Sequence, residues 1–340
     1  MSLWIGISIA AAAFQTLRFM LQKLLSKQTL SAAGATFARF LYSAPLVVVF
    51  TALYLNQTGQ SWPQLSAKFW IYGATGGVAQ VLATICVVLV FKSRNFAVGI
   101  TFKKTEVILA MIVGILVLGD QVSLVAFGAI ILGLAGVLLL SSATELGAWN
   151  WRHMFNRAAG LGVLSGALFA VSAVSYRGAT LQLDMADHWA RAGVTLAAVT
   201  SMQLTGMAIW LYFREQGEIS AVWKARRVAG WIGILSMAGS FCWFSAFALQ
   251  NAAYVKAVGQ IELIFSLMVT VLFFKEKITV REWIGVAVLG MSVVVMVVLA
   301  WSIRWQMTPK LQEQAFFIVV FKEWNAVWWG DVCCTGLDFA

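Results

Sequence analysis

One stretch of this chain occurs twice, and each copy places a carboxylate inside an apolar run of membrane-crossing length. The first copy, residues 96–140, reads FAVGITFKKTEVILAMIVGILVLGDQVSLVAFGAIILGLAGVLLL. The second, residues 252–298, reads AAYVKAVGQIELIFSLMVTVLFFKEKITVREWIGVAVLGMSVVVMVV. Each is a hairpin of two apolar runs of about 20 residues, enough to span ~30 Å of hydrocarbon at ~1.5 Å per residue. A polar break carrying an acid joins the two runs, Asp120 in one copy and Glu276 in the other. An offset of 156 positions (262 − 106) lays Glu106 on Glu262, Asn95 on Asn251 and Asp120 on Glu276. One extra residue in the second break then lays Gly128 on Gly285 and Gly133 on Gly290.

Similar runs recur along the chain. Apolar residues make up 61% of its 340 residues and charged residues only 11%, and the mean hydropathy is +0.84. A soluble domain carries about 25% charged residues, so the fold class expected is an all-α polytopic membrane protein. Strands are excluded because the runs are continuously apolar rather than alternating, and open strands leave backbone groups unsatisfied in lipid. The net charge of +10 does not point to nucleic acid, since the basic residues sit mostly in short connections, as membrane orientation demands. Cys86 and Cys242 lie inside apolar runs as small hydrophobes, and the adjacent Cys333 and Cys334 lack metal-type partners nearby. The chain enters its first apolar segment without a basic region or cleavage site, so no cleavable signal peptide is expected.

The periodicity predicts ten transmembrane helices, at 3–25, 32–55, 69–91, 96–118, 122–141, 158–176, 186–213, 229–249, 253–274 and 282–303. They form two five-helix repeats, 1–141 and 158–304, around a linker at 142–157, with a tail at 305–340 outside the pattern. Because five is odd, the second repeat enters the membrane from the opposite side, giving two inverted repeats. Lys and Arg gather in the breaks after odd-numbered spans, for example Lys92, Arg94, Arg226, Arg227, Lys275 and Lys277. The other side holds Lys68 and Arg177, with Arg304, Lys310 and Lys322 after span 10. This places both termini outside the cytoplasm. The tail is read as an addition without a role.

Across roughly residues 3–304 the chain resembles the EamA-type members of the drug/metabolite transporter superfamily. The paired hairpins, the breaks Leu118-Gly119-Asp120 and Phe274-Lys275-Glu276, and the five-plus-five division carry the resemblance. It implies a ten-helix carrier whose central cavity is lined mainly by spans 1–4 and 6–9, with spans 5 and 10 more structural. Members move amino acids, amines, drugs, nucleotide sugars or other metabolites, often outward.

Glu106 and Glu262 each fall about nine residues into a span, near the bilayer midplane. A charge there costs at least ~2.5–3.5 kcal/mol, so it needs a partner, a proton or a bound cation. Lys103, three residues before Glu106, is within reach of an intrahelical pair, giving a structural ion pair Lys103–Glu106. Glu262 has no charged neighbour in its own span, so it pairs across helices or carries a proton, and it is the expected proton or cation site. Gln15, Arg18 and Gln22 form one polar stripe on span 1, with Arg18 a counter-ion for Glu262 or for an anionic substrate group. Gln80, Tyr176, Trp243 and Gln260 complete the candidate substrate- or ion-binding set. Arg39 and Arg191, nearer helix starts, are read as snorkelling to the headgroups. Phe241, Trp243, Phe244 and Phe247 offer an aromatic wall.

The function expected is a secondary transporter of small metabolites, amino acids, amines or drugs, an exporter working by alternating access. Its partners are a small-molecule substrate, the lipid bilayer, and protons or a counter-substrate; no cofactor, metal or nucleic acid is expected. The expected location is a bacterial inner membrane. A non-transporting sensor or scaffold is the alternative. A membrane-embedded enzyme is disfavoured, because His153 and His188 lack metal-ligand or nucleophile-base spacing.

Overall fold

The computed structural model describes residues 3–28, 30–92, 103–142, 157–265, 267–268, 280 and 283–299. Asn95, the linker 143–156, Glu276 and the tail 305–340 lie outside the described residues. The chain divides into two compact units, Met1–Met296 and Val297–Ala340. The first takes in the first expected repeat and nearly all of the second; of the second unit only residues 297–299 are described, as helix.

The helices are α1 (Leu3–Gln28), α2 (Ala32–Gln57), α3 (Ala67–Lys92), α4 (Glu106–Leu118), α5 (Leu124–Ser142), α6 (Arg157–Leu181), α7 (His188–Arg214), α8 (Glu218–Lys224), α9 (Arg226–Leu249) and α10 (Ala252–Gly259). They are followed by α11 (Trp283–Leu299). No strand occurs among the described residues. Among the described residues, six helices, α1–α3, α6, α7 and α9, are long and apolar enough to cross a membrane, while α4, α5 and α11 are shorter apolar helices. Their outer faces are apolar as well: Leu116 is 78% exposed and Leu124 88%. Apolar surface of this kind suits hydrocarbon rather than water.

Local chemistry sets the helix ends. Ser31 caps α2 by accepting from the Gly34 N–H at 2.9 Å, and Asp187 caps α7 by accepting from the Trp189 N–H at 2.9 Å. Gly119 closes α4 at φ +67°, a left-handed conformation that glycine adopts without strain. Its N–H donates to Ile115, and that of Asp120 to Gly114. The short helix α8 is an element that periodicity did not predict.

Inter-helix packing comes in couples. α3 lies against α6 and α1 against α9; α4 lies against α6 and α10 against α1; α2 lies against α7. If the two expected repeats are exchanged, each member of a couple becomes the other, and the α2–α7 pair maps onto itself. α5 and α11 meet closely at Gly136, where a Cβ would come 2.7 Å from the Leu289 backbone nitrogen. Ser292 Oγ donates to the Ala129 carbonyl at 2.7 Å beside them. Gly128 and Gly290, in contrast, face open space.

One expectation about the elements needs correction. Span 4 does not carry Glu106 nine residues into a continuous helix. Residues 104–105 form a turn, and Glu106 is the first residue of α4. The chain breaks again 156 positions on: α10 ends at Gly259, residues 260–261 turn, and helix resumes at Glu262. Tight bonds from Gln260 N–H to Ala257 and from Ile261 N–H to Val258 close this break.

Candidate functional site

Each break sets an acid at the first position of the helix that follows it, Glu106 in one and Glu262 in the other. Lys256 sits in the last turn of α10. The two breaks are tied together by charge. Lys104 Nζ donates to Glu262 Oε2 at 2.8 Å, Lys103 Nζ stands 3.9 Å from Glu262 Oε1, and Gln15 Nε2 donates to Oε2 at 3.1 Å. Reciprocally, Lys256 Nζ lies 3.9 Å from Glu106 Oε2. The expected Lys103–Glu106 pair is therefore replaced: the turn at 104–105 removes the helical i, i+3 geometry on which it depended. Each acid pairs with lysine from the other break, and Glu106 Oε2 has no hydrogen-bond partner among the described residues. Gly166 of α6 admits the first break, since a Cβ there would lie 2.8 Å from the Lys103 carbonyl.

Beside this cluster a cavity opens among α1, α2, α3, α6, α9 and α10. Arg18, Arg39 and Lys256 line it, with Gln15, Gln80, Ser172, Tyr176, Ser236 and Ser240 and an aromatic wall of Phe169, Trp243, Phe244 and Phe247. It is narrow, with a volume of about 30 Å³. Gln15 joins cavity and cluster, because its Oε1 accepts from Trp243 Nε1 at 3.0 Å while its Nε2 holds Glu262.

The candidates separate accordingly. Gln15, Arg18, Gln80, Tyr176 and Trp243 face the cavity, whereas Glu106, Glu262, Gln22 and Gln260 do not line it. Arg18 forms no ion pair with Glu262; its Nη1 donates to Gln22 Oε1 at 2.9 Å, and its guanidinium lies 4.2 Å from the centre of the Phe19 ring. Gln22 is a brace rather than a ligand, with its Nε2 on the Ala35 carbonyl at 3.1 Å. Gln260 is buried, and its Oε1 lacks a hydrogen-bond partner among the described residues. Phe241 leaves the aromatic wall and stacks on Trp189 at 5.7 Å. Trp243 and Phe247 stack on each other at 6.0 Å.

Arg39 requires a second correction. It does not snorkel, being 4% exposed, and its Nη2 donates to Ser240 Oγ at 2.9 Å. The start of α2 is itself buried against the α7–α8 corner, where Glu218 Oε1 accepts from the Ser31 N–H at 3.1 Å. Lys256 and Gln203 were not singled out in the sequence. Lys256 was legible as a basic residue inside an apolar run. Gln203 donates to Gln80 Oε1 at 3.1 Å and to Tyr176 Oη at 3.2 Å, and Tyr176 Oη donates to Gln80 Oε1 at 3.0 Å. Gln203 carried no signal beyond being one amide in a long helix.

Arg177, counted in the sequence as a loop residue, lies near the end of α6. It pairs with Asp120 at 3.4 Å and donates from Nη1 to the carbonyls of Phe247 and Gln250 at 2.9 and 2.8 Å. It thereby satisfies carbonyls that the end of α9 leaves open.

Apolar-faced helices and buried charges at helix breaks define an integral membrane protein of helical, polytopic type. Within that class, residues 156–298 match the EamA-like transporter family, and this match suggests a membrane transporter of the drug/metabolite superfamily. No curated protein matches the chain. A crystal structure, titled only as that of a protein, is similar at a TM-score of 0.64 and 14% identity, covering 88% of this chain and 98% of that one. Identity this low extends the likeness to the fold alone.

Proposed function

We propose that the chain is a secondary transporter of small organic molecules that works by alternating access around the cavity among α1, α2, α3, α6, α9 and α10. The observation that carries this reading is a buried, mixed polar and aromatic cavity beside two broken helices with crossed lysine–glutamate pairs. Broken helices at mid-membrane place helix ends, and hence charge, where a substrate is held. The EamA-like match of residues 156–298 supports the transporter class. Substrates fall among metabolites, amino acids, amines and drugs, and export is the direction suggested by the resemblance, from a bacterial inner membrane with both termini outside the cytoplasm. Glu262 is proposed as the ion-linked group: when Lys103, Lys104 and Gln15 draw away from it in the alternate state, its buried carboxylate takes a proton. The test is uptake into proteoliposomes at several pH values by the native protein and Glu262→Gln. Saturable uptake that loses its pH dependence in the variant is expected; unchanged pH dependence removes Glu262 from the coupling.

A further inference from the structure

Three cations from three helices line the cavity, Arg18, Arg39 and Lys256, and no acid lines it among the described residues. The two arginines are 3% and 4% exposed. Each has one side-chain acceptor among the described residues, and both acceptors are neutral: Gln22 Oε1 for Arg18 and Ser240 Oγ for Arg39. A guanidinium carries five N–H donors and does not give up its charge, so each keeps donors and a positive charge directed at the cavity. Phe19 and Phe40 lie against these guanidiniums at 4.2 and 5.1 Å, which offsets part of the burial cost but supplies no counter-charge. Lys256 is enclosed by Trp243 at 4.6 Å, Phe169 at 5.7 Å and Phe247 at 6.0 Å. Its acid, Glu106, stands at 3.9 Å without a hydrogen bond from it.

We infer that the substrate is an organic anion with a flat apolar body, its anionic group taken by Arg18 and Arg39 and its body laid against Trp243, Phe244 and Phe247. Planar guanidiniums grip a carboxylate through paired N–H donors, and the ring faces bind a flat body by stacking. The amides of Gln15 and Gln80 and the Tyr176 hydroxyl are left to recognise neutral polar substituents. This inference rests on the transporter reading and narrows its substrate class.

The experiment uses the full-length protein with 3-phenylpropionate, its neutral amide, phenethylamine and acetate. Each probe is read by thermal shift in detergent and by counterflow in proteoliposomes. Phenylpropionate is expected to bind at least tenfold more tightly than the other three. Arg39→Gln and Arg18→Gln should each weaken it tenfold or more, Arg39→Lys should recover part of the loss, and the exposed Lys224→Gln should change nothing. Binding of the amine or amide in preference, or phenylpropionate binding that ignores both arginines, overturns the anion assignment even where counterflow persists. Arginine-dependent binding of phenylpropionate without counterflow upholds the anion site and overturns the transporter reading instead.

Discussion

At the scale of single residues, Glu262 and Lys104 carry the most consequence. Their 2.8 Å contact is almost wholly buried, and deleting one partner of a buried pair costs about 3–5 kcal/mol because the other charge is stranded. Lys104→Ala is therefore expected to lower thermal stability sharply, and Lys104→Ala with Glu262→Gln to recover much of the loss, as unfolding in detergent can measure. A gentler dependence sits in the loop at Asp187. Burial pushes that carboxyl up, but hydrogen bonds from Tyr54 Oη, the Trp189 N–H and Gln60, with the charge of His188, outweigh it and hold it below the usual 3.8. The folded value is the lower one, so its contribution is present above the unfolded value and is lost as pH falls through the folded one. Asp187→Asn should flatten the acid limb of a melting-temperature profile below pH ~4.

At the scale of elements, the long helices were legible and the breaks were not. Runs of apolar residues fix membrane-length helices regardless of partner, which is why α2, α7 and α9 begin and end within a few residues of expectation. Residues 103–106 read Lys-Lys-Thr-Glu, with neither Gly nor Pro to interrupt the pattern, so periodicity ran straight through a turn that tertiary charge pairing holds open. The same oversight misassigned Lys103 to Glu106. Only Gly259 hinted at the second break. The polar stripe of α1 was legible because lipid rejects it, whereas the burial of Arg39 depends on α9, whose Ser240 accepts from it. Close helix contact also yields a prediction. Gly136→Ala drives a methyl group into the α11 backbone and is expected to cost about 1–3 kcal/mol, seen as a lower melting temperature. Gly128→Ala, which meets open space, should leave it unchanged.

At the scale of the whole molecule, the proposed mechanism takes the chain as two inverted five-helix halves, and the packing of α3 on α6 and of α1 on α9, with lysine and glutamate exchanged between breaks, suits that proposal. In the proposed alternation one half rocks against the other while the cavity changes side. The direct measurement is cysteine accessibility at Ser236, a buried residue that lines the cavity, as Ser236→Cys in a protein whose own cysteines are replaced. A membrane-impermeant maleimide is applied to reconstituted protein from each side in turn. The account predicts labelling from either side, with the ratio shifted by substrate. Labelling from one side only, under every condition, would contradict it.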